Sequence, residues 1–372
     1  MVLGWGALAL AGLFTGCVEA VPQDAIDAIE SIDRDFIELR AAELFPVDYA
    51  RFAHQWMALK SRVRDDEDVI RWPWEPNDLE LALRRLQKEG SQTVARLTKE
   101  REALRHSAES KMAQVEDRSR VMAVQVSAID SRLVLGQKPV ETDLLMKQAH
   151  AFYEQGQYDR SLEASDRAAQ NLSTQAVLLG NEFGRYADRG RITLWQQMAK
   201  ETIAWSRTHQ ASAIVVNKAD RVLTLYRNGE KLLSYPVRLG FNGIREKRYQ
   251  GDGATPEGRY RISRKRGQGE TQFYRALVLD YPNEKDRQRY RLERKTGQIP
   301  ASSAIGGQIE IHGVENQLMA QTLGCVMLEN PQMTLLFDRV QTGTPVTIVG
   351  ALQEQNSVAQ ALVLMGVQRE ET

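Results

Sequence analysis

The hydrophobic period of this 372-residue chain changes once, near residue 210, and the change divides what the chain can fold into. Before it, apolar residues recur at threes and fours. Ile26, Ile29, Ile32, Phe36 and Leu39 form one stripe, and Phe52, Trp56, Leu59 and Val63 form another after Pro46. The cluster Trp72-Pro73-Trp74-Glu75-Pro76 breaks the pattern. From Asn77, a candidate N-cap, the spacing resumes through Leu79, Leu83, Leu86, Val94, Leu97, Leu104, Met112, Val115, Met122, Val126, Ile129 and Leu133 to a stop near Gly136. This predicts one long, coiled-coil-like helix whose many charged residues form its solvated face. A further helix is predicted over residues 192–208.

Beyond residue 212 the period is two. Ala213-Ile214-Val215-Val216-Asn217 and Val222-Leu223-Thr224-Leu225-Tyr226 read as strands, and Asn228-Gly229 is a hairpin signal because both positions of a type I′ turn need positive φ. Pro236 places the returning strand at an edge. More strands are predicted at 258–263, 276–280, 308–312 and 345–349, with a helix near 333–340 and a short apolar helix within 359–367. The fold class expected is α+β: an all-α, coiled-coil-like region over 18–210, then a mostly antiparallel β domain over 211–350, then a tail over 351–372.

The chemistry is concentrated in Ile309-Glu310-Ile311-His312-Gly313 and Thr322-Leu323-Gly324-Cys325-Val326. Cys325 is one of two cysteines, and His312 is the only histidine beyond residue 210. A thiol becomes a nucleophile as a thiolate, and a nearby imidazole is the usual way to take its proton, so Cys325 is expected to be a low-pKa thiolate in a cleft. Gly324 permits a sharp turn that lets N–H groups at Gly324 and Cys325 converge on an oxyanion. His54, His106, His150 and His209 lack the spacing of a metal site, and no metal or cofactor is expected.

Together with Gly251-Asp252-Gly253-Ala254-Thr255-Pro256-Glu257-Gly258, these two motifs resemble the L,D-transpeptidase catalytic domain family, whose signature is His-Gly, a spacer, then Ser/Thr-x-Gly-Cys. The resemblance spans about residues 211–350. It implies a thioester on Cys325, His312 as base, and peptidoglycan stem peptides as substrate. Gly313, Thr322, Asp252, Thr255 and Gly258 are then cleft-support residues. Residues 149–168 are similar to one tetratricopeptide-type helical hairpin, read here as a bundle element because a single copy makes no solenoid.

Equal counts of 49 basic and 49 acidic residues hide an asymmetry: residues 238–295 hold 16 Lys/Arg against 8 Asp/Glu. Such a patch suits an anionic polymer, cell-wall carboxylates and not nucleic acid in an exported protein. Residues 1–17, apolar and ending in Leu13-Phe14-Thr15-Gly16-Cys17, resemble a signal peptide with a bacterial lipobox. They predict export to the periplasm and a lipid anchor at Cys17. The family motif commonly places Arg two residues after the Cys, where this chain has Met327, and Cys325 follows His312 by only 13 positions. Carboxylate recognition is therefore expected from Arg245, Lys247, Arg248 and the run Arg264-Lys265-Arg266. Tyr281-Pro282-Asn283 with Asp286 and Arg287 resembles the branch of the family that releases wall-anchored lipoprotein. Three readings follow: an L,D-transpeptidase, a thiol hydrolase cleaving a peptide or lipoprotein–peptidoglycan linkage, and a murein-binding scaffold without turnover.

Overall fold

The computed structural model describes residues 22–66, 77–130, 132–314 and 322–367. Cys17 and its apolar leader, and the Trp72 to Pro76 cluster, lie outside the described residues. Packing divides the chain into two compact units, one of residues 1–111 and 149–163, the other of residues 112–148 and 164–372.

The first unit is helical. Helices α1 (Gln23–Glu38), α2 (Ala41–Leu44) and α3 (Pro46–Asp66) pack with the first part of α4 (Asp78–Ala128). The stripes read from sequence are buried in one core, with Ile29, Ile32 and Phe36 meeting Phe52 and Trp56 and also Leu83 and Leu86. The Phe36 and Phe52 rings lie 4.7 Å apart. Asn77 caps α4, its Oδ1 accepting the Glu80 N–H at 3.0 Å. The long helix ends at Ala128, short of the predicted stop, because Asp130 turns the chain with φ +49° before α5 (Arg132–Leu135). Helices α6 (Lys138–Glu154) and α7 (Tyr158–Phe183) follow, and the Tyr153 and Tyr158 rings pack 5.2 Å apart across their turn.

The second unit holds an eight-stranded sheet: β1 (Ser212–Asn217), β2 (Val222–Arg227), β3 (Glu230–Pro236), β4 (Gly258–Arg266), β5 (Ala276–Leu279), β6 (Glu310–Gly313), β7 (Val326–Leu328) and β8 (Pro345–Val349). The order is β3-β2-β1-β8-β4-β5-β6-β7. Among the described strands only β1–β8 and β6–β7 pair in parallel, so the sheet is mostly antiparallel as expected. Asn228 and Gly229 have φ +55° and +80°, as the hairpin turn demands. Past Pro236 the chain runs along β7, with bridges Arg238↔Met327 and Gly240↔Thr322. The sheet thereby curls until its two ends meet, and the edge beside Cys325 is covered.

No break in packing falls at residue 210. Helix α8 (Arg189–Thr208) lies on β1 and β8, with Trp195 against Gly350 and Thr202 Oγ1 2.6 Å from Thr347 Oγ1. Helix α9 (Glu284–Lys295) was hidden by its charge, yet it carries a capping box: Asn283 accepts from Lys285 and Asp286 N–H, and Asp286 accepts from Asn283 N–H. Tyr281-Pro282-Asn283 with Asp286 thus has a local structural role. Helix α10 (Asn330–Phe337) lies near the predicted position. Helix α11 (Ser357–Leu364) is the predicted tail helix, and it packs beside the turn Gly184–Tyr186, where Asn356 Nδ2 donates to Tyr186 O at 2.8 Å.

That turn also carries a buried charge cluster. Glu257, which begins the approach to β4, accepts both oxygens' bonds from Arg185 at 2.7 Å and pairs with Lys218 at 2.9 Å, and Lys218 is fully buried. Burial alone would raise the Glu257 pKa, but Lys218 and Arg185 hold it down, to about 2. Removing one member of a buried ion pair strands the rest, so Glu257→Gln is expected to cost about 3–5 kcal/mol in urea denaturation. Because the folded pKa is depressed, this stabilisation is present above the ordinary value of 4.5 and is lost as pH falls towards about 2.

Candidate active site

His312 sits on β6, opposite Ala276 of β5 on one side and Met327 of β7 on the other. Its ring is almost wholly buried and stacks on Phe273 with centroids 3.7 Å apart. Nδ1 lies 2.8 Å from Gly313 O. A carbonyl only accepts, so Nδ1 carries the proton and Nε2 keeps its lone pair. Burial lowers the His312 pKa from 6.5, against the opposing effect of the Gly313 bond, so the ring is neutral at pH 7. Nε2 is buried and has no hydrogen-bond partner among the described residues.

Cys325 immediately precedes β7, and its partly exposed thiol donates to Gln308 O at 3.6 Å. Gln308 holds φ +55°, an unusual backbone for a residue with a Cβ, where its carbonyl meets the Cys325 thiol. The thiolate expected from sequence is corrected here: the thiol pKa is pushed up to about 11, by burial first and then by the Glu310 carboxylate, against the Glu310 N–H and Lys247. Glu310 is itself buried, pairs with Arg266 at 3.1 Å, and has a pKa raised by burial. The pair at rest is therefore a neutral thiol and a neutral imidazole.

Close backbone approaches at two glycines shape the loop before Cys325. Gly324 has φ +134°, and a Cβ there would lie 2.7 Å from Ala254 O; a Cβ on Gly240 would strike the Gly253 carbonyl and sit 2.8 Å from Gly324 Cα. Thr322 Oγ1 accepts the Gly324 N–H at 3.2 Å and donates to Cys325 O at 2.8 Å. The two oxyanion donors expected from sequence thus reduce to one: the Gly324 N–H is engaged by Thr322, whereas the Cys325 N–H has no acceptor among the described residues. Gly313 leaves room for Asn330, whose Oδ1 accepts the Val314 N–H at 2.7 Å.

Asp252 organises the neighbouring loop, accepting from Arg248, Tyr249 and Ala254 N–H and from Lys247 Nζ at 2.5 Å. Thr255 Oγ1 accepts the Gly240 N–H at 3.2 Å, and Gly258 opens β4 against Ile348. The expected carboxylate contacts need correction. Arg245 is held by Glu182 at 2.9 and 3.2 Å, Lys247 is buried on Asp252, and Arg266 is taken by Glu310. Arg248 has no ion pair among the described residues. Glu310, Gln308 and Phe273 were not singled out from sequence. Only Glu310 left a signal, as a charge at an inward position of an apolar strand.

A curled sheet that sets a buried imidazole on one strand beside a cysteine at the start of its parallel neighbour defines a narrow class of domain. Residues 211–348 match the family model of the L,D-transpeptidase catalytic domain, YkuD, so this part of the chain is an L,D-transpeptidase catalytic domain. Solved structures that align include an L,D-transpeptidase from Xylanimonas cellulosilytica, at 17% identity over 37% of this chain and 60% of that one, TM-score 0.25. L,D-transpeptidase 1 of Mycobacterium tuberculosis aligns at 21% identity over 38% of this chain and 62% of that one, TM-score 0.22. A mutant L,D-transpeptidase from Enterococcus faecium aligns at 15% identity over 37% and 49%, TM-score 0.25. The chain spans less than two thirds of the length of each of these. No curated protein matches it. Among the described residues no group of His, Cys, Asp or Glu is placed to hold a metal ion, and no helix is long and apolar enough to cross a membrane.

Proposed function

We propose that the protein is an exported cysteine acyltransferase of the L,D-transpeptidase type that works on peptidoglycan stem peptides through a thioester on Cys325. The observation that carries this reading is His312, fixed by Gly313 O with Nε2 unpartnered, on the strand paired with the one that Cys325 immediately precedes. As Cys325 Sγ attacks the donor amide carbonyl, its proton passes to His312 Nε2, and the Cys325 N–H donates to the oxyanion. His312 then gives that proton to the departing amine as the C–N bond breaks. An acceptor amine or water attacks the thioester, loses its proton through the same imidazole, and returns the thiol.

The loss of Arg at position 327, where Met327 is buried, favours as second reading a thiol hydrolase acting on a peptide or lipoprotein–peptidoglycan linkage. The helical region and a lipid on Cys17 would hold the domain between membrane and wall. Mass spectrometry of disaccharide tetrapeptides incubated with the protein separates the readings. Cross-linked dimers with released amino acid mark transfer, and shortened monomers without dimers mark hydrolysis. Unchanged tetrapeptide and unchanged sacculi contradict both and leave the murein-binding scaffold.

A further inference from the structure

Two arginines outside the catalytic scheme meet at a cavity of about 220 Å³ beside the nucleophile strand, lined by Arg221, Arg238, Asp130, Leu239 and Gly240 among others. Arg238 is locked to β7 by a hydrogen-bonded pair with Met327, N to O at 3.0 Å and the reverse at 2.8 Å. Met327 is in turn opposite His312. Residues paired across strands project to the same face, so His312, Met327 and Arg238 form one row. Two strand spacings of roughly 4.8 Å separate its ends, placing the Arg238 Cα about 10 Å from that of His312. The row is buried at His312 and Met327 and opens to solvent at Arg238. The wall of the cavity is also fixed to the nucleophile loop, because Gly240 pairs with Thr322 and abuts Gly324.

Both guanidiniums have carboxylate partners that a ligand can replace. Arg238 pairs with Glu329 at 3.1 Å with the two side chains 50% and 58% exposed, and Arg221 pairs with Asp130 at 2.7 Å with both 38% exposed. Exposed ion pairs of this kind contribute little, unlike the buried Lys247–Asp252 pair that removes Lys247 from consideration. An arginine can hold a carboxylate by two parallel bonds. A peptide rises about 3.3 Å per residue, so the Cα separation of about 10 Å between Arg238 and His312 equals about three residues of extended substrate, and an Arg238 side chain extended along the row shortens this to about one.

We propose that Arg238, with Arg221 across the cavity, forms a subsite for a free carboxylate of the substrate one residue away from the bond that is cleaved. This rests on the murein-peptide reading above. It assigns to the segment beside β7 the anion recognition that Arg245 and Lys247 cannot supply while Glu182 and Asp252 hold them. Arg221 completes the subsite and Glu329 occupies Arg238 until the carboxylate arrives.

The test is calorimetric binding to Cys325→Ala protein, which cannot turn the peptide over, using a stem tetrapeptide with free carboxylates and the same peptide amidated at them. Adding Arg238→Ala is expected to weaken the free-acid peptide at least about 10-fold while leaving the amide unchanged, with Arg238→Lys intermediate. Arg221→Ala is expected to act in the same direction and less. Retained affinity for the free acid in Arg238→Ala, or equal losses for acid and amide, overturns the subsite and leaves the murein reading standing. Absence of binding by either peptide to the Cys325→Ala protein overturns the murein reading and the subsite together.

Discussion

His312→Ala is expected to lower kcat/KM on a stem tetrapeptide by about 10²–10⁴-fold, and Cys325→Ala to remove turnover; urea denaturation should find Cys325→Ala within about 1 kcal/mol of the parent, and His312→Ala folded but weakened by about 2–4 kcal/mol because it empties a buried ring site. The reason lies in the resting protonation state. With the thiol pKa at about 11 there is no pre-formed thiolate to fall back on, so attack on the amide requires a base in the same step. Nε2 of His312 is a buried nitrogen with no hydrogen-bond partner among the described residues, and Gly313 O holds the proton on Nδ1, which leaves the Nε2 lone pair free. A His312→Ala enzyme that keeps wild-type kcat/KM would show that another group takes the proton.

The second large effect is on thiol chemistry. At pH 7 a thiol of pKa about 11 is ionised only to about one part in 10⁴, so Cys325 is expected to react with iodoacetamide far more slowly than a free cysteine, at a rate that climbs with pH and does not level off near neutrality. Turnover should follow a different curve. The active form needs Nε2 unprotonated and Sγ protonated, so kcat/KM falls on the acid side below pH 6.5, where the lowered His312 pKa lies, and stays level until the thiol ionises near pH 11. An alkylation rate already at its plateau at pH 7 would mean a thiolate–imidazolium pair.

Much of this was legible in the residues because periodicity and backbone chemistry are local. The apolar stripes of residues 26–63 and the Asn228-Gly229 turn name their own structures, and the first core and the β1–β2–β3 hairpins follow. What was hidden is non-local or composed of charge. Helix α9 has no apolar stripe, and its capping box was the signal to use. The partition of the cations was illegible because Glu182, Asp252 and Glu310 meet Arg245, Lys247 and Arg266 only after folding, two of the three pairs across more than forty positions. The thiol state had the same origin: sequence shows that a histidine is available, whereas burial beside Glu310 decides the pKa.

The acyl group is expected to pass through Cys325 as a thioester. Rapid quenching of the protein with a stem tetrapeptide, followed by intact mass and peptide mapping, tests it most directly. A transient adduct equal to the donor minus its departing amine is expected, located on the Cys325 peptide and absent from Cys325→Ala. Product formation at an undiminished rate, with no adduct on Cys325 at any quench time and with Cys325→Ala equally active, would contradict it.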